Sequence, residues 1–282
     1  MEISKDYQTK LFPYAYNILG TTDDAKDVVQ DVIMGHVERN GENIENEASY
    51  LVKSVINKSI NLKKRNMKMV GDTTWLPEPV SIESADADIK SHEIISYSVL
   101  VLLEHLNPKE RAVFILKEVF DYSHQEIADI FSISVENSRK LLSRAKNVLR
   151  EKNSDFGVHS AHETGFLHNY IDVIKSGDVE TLEKMLSDQI TAKTDGGGKV
   201  TVVSELTSGV EAVAQFAMKV YNMYLKNYTV KFKNLNHEPV LLFYKGSRLV
   251  SCQIFDLAGE DGKIRNMYSV VDPAKLRKIE KK

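Results

Sequence analysis

Three helix starts follow one another between residues 107 and 149, and they restrict this part of the chain to a small helical bundle. Asn107 precedes a Pro-Lys-Glu sequence, which places an amide at the N-cap, proline at the first helical position and a carboxylate in the first turn. Ser123 and Glu126 have the spacing of a capping box, in which each side chain satisfies a backbone N–H of the other residue. Ser134 caps a third run of residues. The three starts therefore predict three consecutive helices.

The last two of these helices are joined by a tight segment, Phe131 to Ser134, which is typical of a helix-turn-helix. Ser132 takes the position in this joint that is often glycine. If Leu141, Leu142 and Ala145 face the core, the last helix exposes a polar and basic face made of Glu136, Asn137, Arg139, Lys140, Ser143, Arg144 and Asn147. Arg and Asn can read base edges in a major groove, and Lys and Ser can hold phosphates. The pattern favours DNA binding; the alternative is a three-helix bundle with a solvated basic face.

The charge distribution indicates more than one partner surface. The 282 residues are 42% hydrophobic and 27% charged, which suffices for two or three compact domains. A net charge of -3 argues against a uniformly basic nucleic-acid coat. The charges nevertheless fall into blocks: residues 49–69 contain six basic and no acidic side chains, whereas acids predominate in residues 1–48 and 71–93. Such blocks suggest separate binding surfaces.

The cysteine content and the hydropathy pattern predict a compartment. Cys252 is the single cysteine, so an intrachain disulfide is excluded, as expected in a reducing compartment. The sequence shows neither a charged-then-apolar leader nor an apolar run long enough to span a bilayer. We expect a cytoplasmic protein that does not bind membranes.

Residues 1–69 are predicted to form a helical domain, with helices over residues 2–20, from Thr22 onwards, and over residues 48–67. In the second helix, Asp27, Gln30 and Asp31 fall largely outside the apolar stripe. The third helix has Tyr50 and a basic edge composed of Lys53, Asn57, Lys63, Lys64 and Arg65. Basic residues beside an aromatic ring and an asparagine suit a surface that grips DNA, and a solvated lysine-rich face is the alternative.

Residues 70–91 are predicted to be an extended, mobile linker, because Pro77 and Pro79 preclude a regular helix there. Trp75, the sole tryptophan, is expected to anchor this linker onto a neighbouring domain. A helix over residues 92–106 then completes the helix-turn-helix domain of residues 92–152.

Residues 153–282 change in character and predict an α+β domain with a curved sheet wrapped over helices. A helix pair is expected over residues 163–187 and a further helix over residues 209–226. The predicted strands are residues 190–194, 199–203, 228–235, 239–244, 249–257 and 263–271. The glycine-dense sequence from Asp195 to Lys199 is expected to turn between the first two strands and to form a contact surface. Such a domain usually encloses a pocket.

In this order the segments closely resemble an extracytoplasmic-function (ECF) sigma factor of the subgroup that carries a SnoaL-like C-terminal domain. The resemblance rests on the region around Asp27, the helix-turn-helix, and three motifs: residues 75–79 (WLPEP), residues 195–199 (DGGGK) and residues 271–276 (VDPAKL). It implies two all-α sigma domains followed by an α+β SnoaL-like domain. The third motif departs from the family's usual asparagine-proline-aspartate, since Asp272 and Ala274 stand in place of the asparagine and the aspartate.

The resemblance also implies functional residues. By this resemblance, Asp27, Gln30 and Asp31 are expected to bind the polymerase. Contacts with the minus-ten element fall on Tyr50, Lys53, Asn57 and Lys64, and contacts with the minus-thirty-five element fall on Arg139, Lys140, Ser143 and Arg144. A regulatory contact is expected between the linker and the C-terminal domain, at Trp75, Pro77, Asp195, Gly196, Gly197, Gly198 and Lys199.

We therefore expect a sigma factor that binds core RNA polymerase and promoter DNA, without catalysis, cofactor or metal. Its C-terminal domain is expected to regulate its activity in cis. A small-molecule or protein effector of that domain is a further expected partner. Two alternatives remain open. One is a ligand-sensing regulator that binds DNA unaided, and the other is a SnoaL-like pocket enzyme fused to a DNA-binding domain. For the enzyme the candidate groups are His162, His168, Asp195, His237 and Asp256, which show no catalytic or metal-ligand spacing.

Overall fold

The computed structural model describes residues 2–38, 46–67, 74–81, 93–151, 164–202, 206–257 and 262–280. The chain divides into two compact units that interleave along the sequence. The first comprises residues 1–71, 82–95 and 99–156, and the second comprises residues 72–81, 96–98 and 157–282. Part of the predicted linker therefore belongs to the C-terminal unit.

The described part of the first unit begins with three helices: α1 (Glu2–Leu19), α2 (Thr22–Glu38) and α3 (Glu47–Met67). Gly20 ends α1 in the left-handed region, with φ of 77°. The apolar stripes face one another, so that residues such as Ala15, Val28 and Val55 are almost completely buried. The helices predicted from periodicity are confirmed here.

The same unit contains the helix-turn-helix domain except for its first two residues, 97 and 98. The elements of this domain are α4 (Tyr97–Leu102), a 3-10 turn (Leu103–His105), α5 (Pro108–Glu118), α6 (His124–Phe131) and α7 (Val135–Glu151). The predicted caps form. The Asn107 side chain accepts hydrogen bonds from two backbone N–H groups of the first turn of α5, and Ser123 and Glu126 form a complete capping box on α6. Ser132 ends α6 with φ of 51°, so serine adopts the left-handed conformation that glycine often supplies.

The helix predicted over residues 92–106 begins later, at Tyr97. The preceding segment is held by Asn17 of α1, whose side-chain amide donates to the carbonyl oxygen of Glu93 (2.7 Å) and accepts from the backbone N–H of Ile95 (3.4 Å). Local apolar spacing continues through this segment, but tertiary hydrogen bonds to a distant helix replace the helical ones.

Within the described residues, the second unit contains four helices and a six-stranded sheet, and its hydrophobic core joins the sheet to the first three of these helices. The helices are α8 (Thr164–Ser176), α9 (Val179–Lys184), α10 (Val210–Val220, continued by a π-helical turn, Tyr221–Leu225) and α11 (Pro273–Glu280). The strands are β1 (Leu186–Asp195), β2 (Thr207–Ser208), β3 (Thr229–Leu235), β4 (Glu238–Lys245), β5 (Arg248–Leu257) and β6 (Ile264–Val270). The sheet order is β2-β1-β6-β5-β4-β3, and every pairing is antiparallel except β1 with β6. The predicted α+β fold is confirmed.

The strand predicted over residues 199–203 is wrong, because residues 199–202 form a turn and irregular backbone and residue 203 lies outside the described residues. The glycine-rich turn consequently does not join two paired strands. At the end of β1 the Asp195 carbonyl oxygen accepts instead from the N–H groups of Val271 and Asp272, the two residues that follow β6 (2.9 and 3.1 Å). The short strand β2 pairs with β1 instead.

Candidate nucleic-acid interface and linker contact

The four residues predicted for the minus-thirty-five element, Arg139, Lys140, Ser143 and Arg144, are all exposed on one side of α7. The opposite side of the helix is buried in the bundle through Ser138, Leu141, Leu142, Ala145 and Leu149. Lys140 forms an exposed ion pair with Glu136 at 2.6 Å, which a phosphate could replace at little cost. The face is therefore basic, accessible and carried on a packed helix.

A hydrogen bond of 2.9 Å between His124 Nδ1 and Ser138 Oγ joins α6 to α7 and fixes the orientation of the exposed face. Burial and the nearby Arg139 guanidinium lower the pKa of His124 below its ordinary value. The imidazole is therefore neutral at physiological pH and adds no charge to the face.

The four residues predicted for the minus-ten element lie along one side of α3, because Tyr50, Lys53, Asn57 and Lys64 are separated by three, four and seven positions. Lys64 is exposed and the other three are half-buried. Lys53 Nζ donates to the carbonyl oxygen of Asp129 in α6 at 2.8 Å. One member of the predicted DNA-binding set is thus engaged by the helix-turn-helix.

Lys63, placed on the basic edge of α3 by the sequence pattern, is instead only 6% exposed. Its ammonium group donates to the carbonyl oxygen of Leu19 (3.1 Å) and to both carboxylate oxygens of Glu104 (2.9 and 2.7 Å). Arg111, completely buried in α5, donates to the carbonyl oxygen of Asn17 (2.9 Å) and to Glu104. Burial alone would raise the pKa of Glu104, but Arg111 and Lys63 outweigh it and lower that pKa. This buried ion cluster ties the N-terminal helices to the helix-turn-helix.

Sequence reasoning missed the cluster although a signal was present. Counted from Ile56, Ile60 is at i+4 and Lys63 is at i+7, so Lys63 lies on the apolar side of α3. Arg111 lies four residues before Ile115, on the buried side of α5. A charged residue in phase with an apolar stripe indicates a buried ion pair. Its partner at Glu104 follows only from the tertiary structure.

The residues predicted to bind polymerase, Asp27, Gln30 and Asp31, are exposed on α2. The carboxylate of Asp31 pairs with Lys58 of α3 at 2.6 Å. Met34, 52% exposed, lies next to them on the same face. An exposed apolar residue flanked by polar ones suits a protein-binding surface.

The linker motif and the glycine-rich turn, predicted to meet, come together within the second unit. Asp195 is 1% exposed, and its Oδ2 accepts from the backbone N–H of Leu76 (2.9 Å) and from Lys275 Nζ (2.6 Å). Lys275 also donates to the carbonyl oxygen of Leu76 and lies 4.5 Å from the centre of the Trp75 ring. Residues 74–81 contain no helix or strand, but residues 76–80 are buried, so this part is not a solvated linker. We call residues 74–81 the strap.

Further contacts hold the remainder of the strap. The Tyr97 hydroxyl donates to the carbonyl oxygen of Pro77 (2.8 Å), and Lys278 of α11 pairs with Glu78 (2.6 Å). Asn236 binds Val80 twice, since its side chain accepts from the Val80 N–H (2.7 Å) and its N–H donates to the Val80 carbonyl oxygen (3.0 Å). The sequence analysis did not single out Tyr97, Asn236 or Lys278 as strap contacts, and Lys275 entered it only as part of the 271–276 motif.

Each glycine of the turn has its own constraint. A Cβ on Gly197, whose φ is 61°, would lie 2.3 Å from Asp272 Cγ, and a Cβ on Gly196 would lie 2.2 Å from the Val200 carbonyl oxygen. Gly198, with φ of 68°, has no such neighbour within 4 Å. Lys199 is exposed, with its ammonium group 4.0 Å from Asp272. The turn thus packs against the start of α11, where Asp272 accepts from the Ala274 N–H (2.9 Å).

The groups considered for catalysis do not converge. The ring of His168 packs against Phe232 at 4.1 Å, and Asp256 is bound by Arg265 and Asn266. Asp195 holds the strap, and His162 lies outside the described residues. Within the described ranges no cluster of His, Cys, Asp or Glu could hold a metal ion, and no helix there is long and apolar enough to cross a bilayer.

Comparison with known proteins agrees with this geometry. The Sigma-70 region 4 family model matches residues 97–149, which include the helix-turn-helix except for the last two residues of α7. The chain is 23% identical to the ECF RNA polymerase sigma factor SigJ of Mycobacterium tuberculosis. The alignment covers 98% of this chain and 93% of SigJ. The helix-turn-helix region, and the chain over nearly its whole length, are thus similar to ECF sigma factors. A probable ECF sigma factor of the same organism, SigI, is 22% identical over 96% of this chain and 92% of its own length.

The solved structure of SigJ from Mycobacterium tuberculosis matches this chain with a TM-score of 0.77, at 24% identity, over 98% of this chain and 97% of the other. The agreement extends across both units and supports the fold. It does not assign a function to individual side chains.

Proposed function

We propose that this chain binds core RNA polymerase, directs initiation at specific promoters, and is regulated in cis by its SnoaL-like C-terminal unit. The observation that carries the proposal is the exposed basic face of α7 within the region that matches Sigma-70 region 4. In this function the chain makes and breaks no bond, since the polymerase performs the chemistry.

The α7 face is proposed to read the minus-thirty-five element in the major groove. Arg139 can bind a guanine edge bidentately, and Lys140, Ser143 and Arg144 can hold neighbouring phosphates. Arg139→Ala should weaken promoter recognition by about 1–3 kcal/mol and relax the preference at one base pair. Transcription in vitro with core polymerase on a set of minus-thirty-five variants measures both effects. Lys175→Ala, which removes an exposed charge from α8, is the matched control; if Arg139→Ala selected promoters as the parent does, α7 would not be the reading helix.

The stripe of Tyr50, Lys53, Asn57 and Lys64 on α3 is proposed to bind the opened minus-ten strand, with the tyrosine ring available for stacking. Lys53 cannot serve this role while it donates to Asp129 of α6. DNA and the helix-turn-helix therefore compete for this side chain.

Promoter geometry requires the two helical modules to separate. The minus-ten and minus-thirty-five elements are about 25 base pairs apart, which is roughly 85 Å of B-form DNA at 3.4 Å per base pair. In this structure Lys63 of α3 is 2.7 Å from Glu104, which also binds Arg111 of α5. Modules in such contact cannot occupy both elements at once. We assign the structure to a closed arrangement, which would bind a promoter poorly.

The Asp27, Gln30, Asp31 and Met34 face of α2 is proposed to dock on the polymerase. It shares no residue with the Lys63 cluster. Polymerase binding through this face can consequently precede separation of the modules.

The buried cluster supplies a test of the closed arrangement. Glu104→Gln leaves Lys63 and Arg111 without their counter-charge, which should cost about 3–5 kcal/mol and favour separation. We expect transcription with core polymerase to increase. Glu118→Gln, which removes the exposed partner of Lys146, is the control. A decrease in transcription with unchanged helix content by circular dichroism would contradict the proposed arrangement.

A further inference from the structure

A cavity of about 710 Å³ lies in the second unit between the sheet, α10 and α11. This volume lies within the range of about 300–1,000 Å³ that is typical of sites for organic ligands. Much of its lining is apolar, including Phe216, Val220, Leu225, Met267 and Leu276. These walls would accommodate the hydrophobic body of a ligand.

A row of polar side chains crosses this apolar lining on three adjacent strands. Gln253 of β5 is directly paired with Ser269 of β6, and Ser269 is paired with Thr194 of β1. All three line the cavity. Gln253 is only 6% exposed, so its side-chain amide belongs to the interior lining of the cavity. An amide and two hydroxyl groups within a largely apolar lining can hydrogen-bond to a polar group of a ligand and fix its orientation.

Positive charge surrounds the accessible part of the cavity. Lys245 and Arg248 at the β4–β5 hairpin and Arg277 of α11 are exposed lining residues. The acidic lining residue is Glu280, whose carboxylate accepts from the Leu249 backbone N–H. Three cations against one acid leave the charged part of the lining positive, which favours an anionic group at this position.

We infer that the cavity is a regulatory site for an amphipathic organic anion. The apolar body of the ligand lies against α10, a carbonyl or hydroxyl group bonds to Gln253 and Ser269, and an acidic group faces Arg248 and Arg277. Binding is independent of transcription, and only its regulatory consequence rests on the proposed function.

The cavity and the strap are connected through shared elements. In α11, Leu276 and Arg277 line the cavity, whereas Lys275 binds the strap. In β1, Thr194 lines the cavity and the next residue, Asp195, accepts from the strap. A ligand that displaces α11 or the end of β1 must alter the ion pair that holds the strap, because both elements are continuous between the two sites.

Binding can be measured on the full chain with 8-anilinonaphthalene-1-sulfonate as the fluorescent probe and with dodecanoate and 1-dodecanol as competitors. We expect dodecanoate to displace the probe and 1-dodecanol to compete at least about fivefold less well, because the alcohol lacks the charge. Arg277→Gln should weaken dodecanoate about fivefold and leave 1-dodecanol unchanged. Lys233→Gln, at an exposed position outside the cavity, should change neither. Equal competition by the acid and the alcohol would overturn the anionic assignment.

The location is tested by Ser251→Phe, which places a ring into the cavity from a residue that is 3% exposed. Binding of the probe and of dodecanoate should be lost, with the circular dichroism spectrum unchanged. If this variant does not fold, Gln253→Leu, which preserves the size of the side chain, should weaken dodecanoate while keeping the apolar walls. Unchanged dodecanoate affinity in a folded Ser251→Phe or in Gln253→Leu would place the binding site elsewhere.

The connection to the strap has its own readout, because Trp75 is the sole tryptophan and lies in the strap. Saturating dodecanoate, without the fluorescent probe, should shift the Trp75 emission spectrum, and this shift should be absent in Ser251→Phe. Binding without any change in emission would overturn the connection but not the site. A chain that binds dodecanoate and yet fails to direct core polymerase would contradict the proposed function alone.

Discussion

Asp195→Asn should release the strap, since it removes one charge of a buried pair while preserving the shape of the side chain. Asp195 and Lys275 are 1% and 5% exposed, and their charged atoms are 2.6 Å apart. Loss of one partner leaves the Lys275 ammonium group buried without a counter-charge, which costs about 3–5 kcal/mol. Domains of this size have total stabilities of about 5–15 kcal/mol, so a large fraction of the folding free energy depends on this carboxylate.

The assay is urea denaturation followed by the fluorescence of Trp75, whose ring lies against Lys275. With a denaturant dependence of about 2 kcal/mol per molar urea, a loss of 4 kcal/mol shifts the transition of the strap by roughly 2 M. Asp188→Asn, which changes an exposed carboxylate on the same strand, should leave the transition in place.

The second arm is the double variant of Asp195→Asn with Lys275→Met. Once the unpaired ammonium group is removed, much of the lost stability should return, and the two single changes should be strongly non-additive. A Trp75 transition within about 0.3 M of the parent in Asp195→Asn, equivalent to less than about 1 kcal/mol, would refute the reasoning that this ion pair holds the strap.

Two further predictions concern the same unit. Gly197→Ala should destabilise the unit by more than about 2 kcal/mol in thermal or urea unfolding, because alanine would be held in a left-handed backbone conformation and its methyl group would collide with Asp272. Gly198→Ala, at a similar φ but with open space around it, should cost only about 1 kcal/mol. Equal losses of stability in the two variants would contradict the contact with Asp272. The second prediction concerns Glu238, whose pKa is raised to about 8 by burial and by the nearby charge of Asp256. At pH values between the ordinary pKa of a carboxyl group and 8, Glu238 is therefore protonated in the folded state and ionised in the unfolded state. Stability therefore falls as pH rises through this window, by up to about 1.4 kcal/mol per pH unit, and Glu238→Gln should flatten the fall measured by urea unfolding at pH 5 and pH 8; an unaltered slope would show that Glu238 is ionised in the folded protein.

Local sequence was sufficient for the elements whose signals are self-contained. The capping box of Ser123 and Glu126 and the N-cap of Asn107 formed as predicted, because their hydrogen bonds join residues only two or three positions apart. The exposure of Arg139 and Arg144 likewise follows from the 3.6-residue period of α7. The α+β fold of the C-terminal unit follows from the order of helical and strand patterns. The assignment of individual residues to polymerase, promoter or strap regulation remains a prediction.

Contacts between residues far apart in the chain were decided by the tertiary structure alone. No local pattern places Lys275 beside Leu76 or Lys63 beside Glu104, since these pairs are 199 and 41 residues apart. The turn at Gly196 and Gly197 illustrates the limit: its composition indicated a special backbone, but the tertiary structure packs it against Asp272 at the start of α11 and does not make it a hairpin. Short-range hydrogen bonding and periodicity are encoded within a few residues, whereas buried charges acquire partners only when distant segments pack and exclude water.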